Sequence, residues 1–301
     1  MKNIEAGNSL SKALTRHPKI FTEIYVRIVE AGEASGNVDK VLFDLVGFLE
    51  WQEEITGSIT QATYYPALIF TAIIGLIFVL FTFVFPRFKG ILLQFNVPLP
   101  LPTRIVMTLS NLMVQYWVPI LVIIAGLIIF QRLWGKTPQG RLFFDGLKLK
   151  IPVIGPLLRK ISLSRFAHYF GMLFRSGVEL SQALEVVQNL VGNAVLSRAL
   201  NNATKQVKAG KFISDALRET EEFPPMVIRM IGIGESTGEL EGTLKKVCDF
   251  YNREIPATIK KLFAVIEPMA IIFLALVVLG VATAIYLPMY QVMGQIGTTP
   301  R

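Results

Sequence analysis

The sequence predicts an all-α polytopic membrane protein with three transmembrane helices and two homologous cytoplasmic helical-bundle domains, the first without its N-terminal half. Three observations lead to this fold class. Three long windows carry no charged residue, part of the chain repeats another part, and apolar residues in the soluble parts recur at helical spacing. No alternation with the period of a β-strand competes with that helical pattern.

The composition is typical of a membrane protein, since 52% of the residues are hydrophobic and 17% are charged. The windows 67–85, 105–131 and 268–288 contain no Asp, Glu, Lys or Arg. About 20 apolar residues, at roughly 1.5 Å each, cross the hydrocarbon core of a bilayer. We therefore expect transmembrane helices at 66–86 and 263–288, and a third whose core is 117–131. No continuous apolar signal sequence precedes them, so we expect the first helix to direct insertion.

The distribution of Lys and Arg predicts the orientation of these helices. The connection 87–116 carries three basic residues, whereas eight follow the second window closely, where Asp145 is the single acid among them. Because short basic segments stay in the cytoplasm, we expect 1–65 and 132–262 on that side. The connection and the tail 289–301 then lie on the far side. Much of the net charge of +8 borders the membrane and attracts anionic lipid, and no nucleic-acid-binding module is visible.

A soluble segment and the membrane helix after it occur twice. The two copies stay in register through a loop, a helix and a membrane segment, with one single-residue gap. The matched positions are Gly7–Leu14 with Gly210–Leu217, Phe21 with Phe223, Ala31–Gly36 with Ile233–Gly238, Leu42 with Leu244, Phe48 with Phe250, Pro66 with Pro268, and Pro86 with Pro288. The helical pattern ahead of Gly210 has no counterpart ahead of Gly7, so we expect either a truncated start or a reduced first domain.

Local patterns predict the helices of the second domain. Residues 163–174 and 180–191 carry apolar side chains at i, i+3 and i+4 spacing. Gly177 is expected to end the first of these helices in the left-handed conformation. Ser11 and Ser214 each precede an Ala-Leu pair and are expected to cap helices.

The most distinctive short motif is Gly-Glu-x-(Ser/Thr)-Gly, which occurs once in each copy. Its residues are Gly32, Glu33, Ser35 and Gly36 in the first copy and Gly234, Glu235, Thr237 and Gly238 in the second. One interpretation is a tight helix–helix connection, in which the first glycine permits close approach, the hydroxyl bonds the backbone and the second glycine ends a helix. The other is that the glutamates are exposed and contact a partner protein or a cation. In that case Glu235→Gln spares folding and weakens assembly.

Two fragments resemble catalytic motifs but lack the required context. Residues 234–238 spell the nucleophile elbow of hydrolases, yet they lie between helices and the first copy has Ala34 in place of Ser236. Residues 135–137 end like a phosphate-binding loop, but Phe130 stands where that loop needs glycine.

The remaining reactive side chains do not form a site in the sequence. His17 and His168 have no ligand partners at metal-binding spacing and are expected on ordinary surfaces. Cys248 is expected to be a small core residue. We therefore predict no catalytic residue, no metal and no cofactor, and a protein that is not an enzyme.

Matched residues mark the cytoplasmic ends of two membrane helices. Tyr65-Pro66 and Glu267-Pro268 occupy equivalent positions. The prolines fit either the start of a helical segment or a kink that joins a cytoplasmic helix to a membrane helix. At such a boundary Glu267 stays solvated and Tyr65 suits the interface, so we expect a structural role.

Taken together, these motifs resemble the inner-membrane platform proteins of type II secretion and type IV pilus machines, the type II secretion system protein F or PilC-like family. The resemblance covers nearly the whole chain. Besides the paired motifs and the two boundary dipeptides, it rests on Ile151-Pro152-x-x-Gly155-Pro156, Ser164-Arg165-Phe166 and Gly210-x-x-Ile-Ser-x-Ala-Leu217. The missing front half of the first domain departs from the family pattern.

The resemblance implies a multi-pass protein of the bacterial inner membrane, with a cytoplasmic N-terminus and a periplasmic C-terminus. It further implies that the protein couples a cytoplasmic assembly ATPase hexamer to the insertion or extraction of pilin or pseudopilin subunits. Other inner-membrane components of the machine, the lipid bilayer and further copies of the chain are implied as partners, and nucleic acid is not.

Two other classes are compatible with repeated membrane segments. A small secondary transporter needs polar or charged groups near the membrane midplane, where this sequence offers Thr71, Thr82 and Thr283. A membrane-bound enzyme needs a catalytic motif. Solute transport in vesicles would favour the first class, and substrate turnover would favour the second.

Overall fold

The computed structural model describes residues 9–18, 20–21, 23–36, 38–87, 100–135, 137–152 and 154–296. Within these ranges every regular element is helical, as the sequence predicted. Residues 88–99 of the predicted connection 87–116 and residues 297–301 of the predicted tail lie outside them.

The described part of the chain forms a succession of helices of very different lengths. They are α1 (Leu10–Leu14), α2 (Glu23–Ser35), α3 (Val38–Val79) with a π-helical turn (Leu80–Val84), α4 (Leu101–Trp134), α5 (Pro138–Lys150), α6 (Ile154–Arg175), α7 (Leu180–Val187), α8 (Ala194–Lys208), α9 (Ile213–Arg218), α10 (Pro225–Thr237) and α11 (Leu240–Ile296).

These helices belong to two compact units. The first unit combines Met1–Thr60 with Gly135–Ile259, and the second combines Gln61–Trp134 with Lys260–Arg301. Helices α3 and α11 contribute residues to both units, and neither is interrupted at the division.

The first unit has a continuous apolar core. Its central side chains are each at most 1% exposed: Leu163, Phe166, Phe170, Leu173, Leu184, Leu196, Leu200, Ile213, Leu217 and Leu244. Burying one such side chain stabilises the fold by about 1.5–3 kcal/mol. The apolar pattern at 163–174 therefore predicted a core-facing helix correctly, whereas the pattern at 180–191 is helical only as far as Val187, where α7 ends. Cys248 is a core residue as expected, with 5% exposure.

Local capping fixes where several of these helices begin and end. Helix α6 ends at Arg175, and Gly177 follows with φ +84°, which confirms the predicted left-handed terminator. Asn193 caps α8 by accepting from the Val195 amide at 2.9 Å. Thr137 caps α5 by accepting from the Gly140 amide at 3.1 Å. This residue of the fragment 135–137, which resembles the end of a phosphate-binding loop, therefore has a structural role.

The second unit brings together the later parts of α3 and α11 with α4. Its core consists of Phe81, Phe85, Val106, Met107, Val281 and Ala284. Two buried hydroxyls of α4 add hydrogen bonds to backbone carbonyls: Thr103 donates to Ala284 at 2.9 Å, and Ser110 donates to Phe81 at 2.7 Å. Phe81 lies in the π-helical turn, where the usual helical pairing is disturbed and carbonyls need other partners.

Two helices of the described chain are long and apolar enough to cross a membrane. They are Val41–Arg87 and Leu240–Tyr290, whose most apolar windows have mean hydropathies of 2.9 and 2.7. These contain the first and third of the predicted membrane segments. Helix α4 contains the predicted core 117–131 of the other segment and is 34 residues long.

The hydroxyl of Ser110 is expected to stabilise the second unit. Ser110→Ala removes the only side-chain bond given to the Phe81 carbonyl among the described residues, and should lower the free energy of unfolding by about 0.6 kcal/mol, and by at most about 1.7 kcal/mol. Reversible unfolding in mixed detergent and SDS micelles measures the change. The matched control is Thr108→Ala, since the Thr108 hydroxyl is exposed and bonds only its own helix at the Arg104 carbonyl. Equal losses for both variants would contradict the prediction.

Candidate functional site

The repeated Gly-Glu-x-(Ser/Thr)-Gly motif forms the end of α2 in the first copy and of α10 in the second. In each copy the helix before it is very short: α1 has five residues and α9 has six. Isolated helices of that length are unstable in water, because nucleation is costly and few hydrogen bonds repay it. The site therefore has to supply what the short helices lack.

In the second copy, Glu235 caps the short helix from outside. Its carboxylate oxygens accept hydrogen bonds from the backbone amides of Ile213 and Ser214, the latter at 2.9 Å. These amides belong to the first turn of α9. The amides of a first turn have no acceptor within their own helix. The carboxylate also meets the positive end of the helix dipole.

The first copy repeats the arrangement with one addition. Glu33 accepts from the amide of Leu10 and from the amide of Ser11, the latter at 3.3 Å, and it also accepts from the Ser11 hydroxyl. The hydrogen bond from that hydroxyl is the largest influence on the pKa of Glu33 and lowers it below the ordinary carboxyl value, while partial burial opposes it. The amides of Leu10 and Ser11 lower the pKa further.

The glycines of the motif are needed for two separate reasons. A Cβ at Gly32 would lie 2.9 Å from the Cβ of Val41, and a Cβ at Gly234 would lie 2.8 Å from the Cα of Leu240, so neither site has room for a side chain. Gly36 and Gly238 instead have φ values of +69° and +74°, which other residues adopt at a cost. The motif is thus a close helix contact followed by a left-handed helix end.

The hydroxyl position of the motif is described in the second copy only. Thr237 donates to the Ile233 carbonyl at 2.8 Å and accepts from the Glu239 amide at 3.4 Å, so it bonds backbone on both sides of the turn. Ser35 ends α2, but its side chain lies outside the described residues.

The prediction that Ser11 and Ser214 cap helices is wrong. Ser11 lies inside α1, and the N-cap of that helix is Ser9, whose hydroxyl accepts from the Lys12 amide at 3.3 Å. Ser214 lies inside α9, whose N-cap residue Phe212 makes no side-chain cap bond. The glutamate of a different helix takes over that task, which a search for caps in adjacent residues does not detect.

A third carboxylate uses the same device. Asp145 of α5 accepts from the amide of Ala194, the first residue of α8, at 3.0 Å. It is 8% exposed, and Lys148 lies 3.0 Å from its other oxygen. The one acid of the basic segment after α4 therefore ties two helices together. Sequence reasoning noted this acid only for its charge.

His168 does not lie on an ordinary surface, contrary to the sequence-based expectation. Its ring stacks on Trp51 with centroids 4.0 Å apart, and its Nδ1 lies 3.7 Å from the sulfur of Cys248. Asn252 completes the cluster, since its Oδ1 accepts from Ser164 at 2.7 Å and from the Trp51 indole at 3.3 Å. The cluster borders a cleft of about 440 Å³ in the first unit.

The electrostatics of this cluster oppose nucleophilic chemistry. Burial lowers the pKa of His168 to about 4, with a smaller contribution from Arg175. Burial raises the pKa of Cys248 to about 11. At neutral pH the thiol is protonated, and a histidine with this pKa is a weak base. The pair therefore packs as neutral groups and does not form an activated thiolate.

The residues predicted at the membrane boundary partly converge. Tyr65, Pro66 and Glu267 line one narrow crevice of the second unit. Neither Pro66 nor Pro268 begins a helix, since α3 and α11 run continuously through these positions. Of the two alternatives for the prolines, the structure excludes the helix start.

Among the described residues, no group of three or more His, Cys, Asp or Glu side chains is placed to hold a metal ion.

Comparison with a family model places both copies of the repeat in one family. The model described as Type II secretion system (T2SS), protein F matches residues 1–86 and 166–288. The two matched segments end at Pro86 and Pro288, which are equivalent positions of the repeat.

Individual relatives match over nearly the whole chain. The type IV pilus assembly protein PilC of Thermus thermophilus is 38% identical over 293 residues, which cover 97% of this chain and 72% of that protein. PilC of Myxococcus xanthus is 35% identical, covering 97% of this chain and 70% of the relative. The type II secretion system protein F of Aeromonas hydrophila is 31% identical, covering 95% and 74%.

Glu235 is expected to be needed for stability. Glu235→Ala leaves the amides of Ile213 and Ser214 without their acceptor and should cost about 1–3 kcal/mol of unfolding free energy. Glu235→Gln keeps one acceptor oxygen without the charge and should cost less than Glu235→Ala. Denaturant unfolding of the purified full chain measures both. The control is Glu239→Ala, an exposed glutamate after the same helix, and an equally large loss there would contradict the prediction.

Glu33 is expected to make the stability of the first copy depend on acid pH. The pKa of Glu33 is lower in the folded chain than in the unfolded chain, where a glutamate carboxyl has a pKa of about 4.3. The contribution of Glu33 to the free energy of unfolding is therefore fully present above that pH and is lost as the pH falls through the lower folded-state pKa. Unfolding measured from pH 6 to pH 3 should therefore show a steeper decline for the wild type than for Glu33→Gln. Parallel curves for the two proteins would show that Glu33 does not contribute to this pH dependence.

Proposed function

This chain belongs to the type II secretion system protein F family, and on that premise we propose that it is the inner-membrane platform of a type IV pilus or type II secretion machine. The observation that carries the proposal is the construction of its two repeats. In each repeat, a glutamate caps a short helix of the soluble module, and the module continues into a long helix whose later part is strongly apolar. Such a module can bind partners and transmit their movement. The polar clusters described above lack the features needed to make or break covalent bonds.

We place the protein in the membrane with three crossings. Two are the apolar parts of α3 and α11, at 66–86 and 263–288, and the third is α4, with its core at 117–131. Apolar side chains such as Val122, Ile123 and Leu127 of α4 are 60–65% exposed, which is expected of residues that face lipid in a membrane-spanning helix. The basic residues after α4 support a cytoplasmic position for 1–65 and 132–262, with 87–116 and 289–301 in the periplasm.

Force transmission is the proposed task of the long helices. An α-helix is stiff along its axis, and α3 and α11 are uninterrupted from the repeat modules to their apolar parts. A displacement imposed on a module by a cytoplasmic assembly ATPase hexamer would then reach the bilayer. There it would promote insertion or extraction of pilin or pseudopilin subunits, in contact with other inner-membrane components and further copies of the chain.

The motif region of the second module offers a surface for the ATPase. Glu235 itself faces backbone amides, so we assign partner contact to its neighbours instead. Phe212 directly precedes Ile213, whose amide donates a hydrogen bond to Glu235, and the Phe212 side chain is 67% exposed. Ile233 lies two residues before Glu235 and is 46% exposed. A contiguous patch of exposed apolar side chains marks an interaction site, and we propose that Phe212 and Ile233 belong to one.

Binding to the ATPase tests the function directly. The full chain in nanodiscs is expected to retain the purified assembly ATPase of the same organism, and deletion of its gene is expected to abolish piliation or secretion. Failure to retain the ATPase, together with solute flux in vesicles that carry the chain, would support the transporter class instead.

Phe212 is expected to contribute to that binding. Phe212→Asp should weaken retention of the ATPase about tenfold, a loss of about 1.4 kcal/mol, while denaturant unfolding stays unchanged. The control is Phe143→Asp on α5, an aromatic residue with a similar exposure of 57%. Unchanged retention by Phe212→Asp, or an equal loss with Phe143→Asp, would contradict this assignment.

A further inference from the structure

Helix α5 and the residue that follows it present a row of exposed apolar side chains. Phe143, Leu147 and Ile151 follow one another at intervals of four residues, with exposures of 57%, 51% and 39%. Because residues four apart lie on the same side of a helix, the three side chains form one continuous face. We call these three residues the outer face of α5.

The other side of α5 is fixed to the rest of the second module. Asp145 is 8% exposed and accepts from the Ala194 amide at 3.0 Å. Leu149 packs against the apolar core of the first unit. A Cβ at Gly146 would be in van der Waals contact with Val195, 3.7 Å from its Cγ2. These contacts determine the rotation of α5 about its axis, so the outer face stays turned away from the module.

Basic side chains border the outer face on both edges. Helix α5 carries three basic residues, Arg141, Lys148 and Lys150, and one acid, and all three basic side chains are exposed. At about 100° per residue, Lys150 lies next to Phe143 on one edge, and Lys148 and Arg141 lie beyond Ile151 on the other. An apolar stripe between rows of Lys and Arg is typical of helices that lie in the headgroup region of a membrane.

The chain brings α5 directly after a proposed membrane crossing. Helix α4 ends at Trp134 and α5 begins at Pro138. A connection of that length reaches at most about 14 Å, so α5 begins close to the end of α4. Trp134 is 40% exposed, and tryptophan is enriched at the boundary between membrane and water. The first turn of α5 is therefore within reach of the lipid headgroups at which α4 is proposed to end.

From these observations we infer that α5 docks on the cytoplasmic surface of the bilayer. Its outer face enters the boundary between headgroups and acyl chains, and its basic side chains bind anionic phospholipid headgroups. Anionic lipid fits as the partner because the exposed charges of α5 are all positive and a membrane crossing precedes it. This inference rests on the crossing by α4 in the proposed function, and it adds a lipid-binding surface that holds the second module against the membrane.

Fluorescence quenching by lipid measures the docking. Single cysteines from Leu147→Cys and Ile151→Cys are labelled with the fluorophore NBD, in a full chain that also carries Cys248→Ala. The chain is placed in nanodiscs of phosphatidylglycerol that contain a nitroxide-labelled lipid as the quencher. The matched control is Phe212→Cys in the same background, a residue of the same unit that is 67% exposed. Quenching at residues 147 and 151 should be at least about twice that at residue 212.

The requirement for anionic lipid is tested separately. In nanodiscs of neutral phosphatidylcholine, the excess quenching over residue 212 should fall by at least about half, and Arg141→Gln combined with Lys150→Gln should have the same effect in anionic discs. Raising the salt concentration should also reduce it, without any substitution, because salt screens the charges at the membrane surface. Excess quenching that is equal in neutral and anionic discs and insensitive to salt would contradict an anionic partner.

A fourth probe separates this inference from the proposed crossing. Val122→Cys on α4, at a position that is 65% exposed, should be strongly quenched in every disc. Absence of quenching at residue 122 would contradict the crossing itself, and the inference with it. Quenching at residue 122, with residues 147 and 151 quenched no more than residue 212, would overturn the inference alone, because the outer face would then lie in water or against another protein.

Discussion

The structure of both repeats depends on a carboxylate that caps a helix other than its own. Glu33 and Glu235 accept the first amides of five- and six-residue helices, and Asp145 does the same for α8. Helices this short do not persist on local hydrogen bonds. The carboxylates supply the missing acceptors, and the same contacts fix how neighbouring helices pack. Loss of one such acceptor therefore affects a helix and its packing together.

The glycines and the glutamate of the motif form one structural device. Gly32 and Gly234 bring the helix that carries the glutamate into close contact with the next helix, and Gly36 or Gly238 then reverses the chain into that helix. Since the next helix is α3 or α11, the device orients the start of the two elements that carry the apolar membrane segments. For a member of the protein F family, this connects the repeated motif with the proposed transmission of movement.

Sequence reasoning succeeded where the determining forces are local. Apolar spacing predicted the core of α6, and the glycine at 177 predicted its left-handed end, because both depend on a few neighbouring residues. It failed where the partner is distant along the chain. Ser9 caps α1 locally, but the carboxylates that accept the first amides of α1 and α9 lie more than 20 positions away along the chain. His168 is buried by Trp51 from the other copy. The sequence does contain one indication of the glutamate caps. The glutamate is the same in both copies of the motif, whereas the next residue differs, Ala34 in one copy and Ser236 in the other.

The most direct test of this account is hydrogen exchange at the amides of Ile213 and Ser214, measured by NMR or at peptide level by mass spectrometry on the full chain. If Glu235 holds these amides, they exchange well below the rate of an open peptide in the wild type, and Glu235→Ala speeds them more than it speeds the core of α6. Open-peptide rates at these amides in the wild type would contradict the account, because they would mean that the carboxylate does not cap the helix.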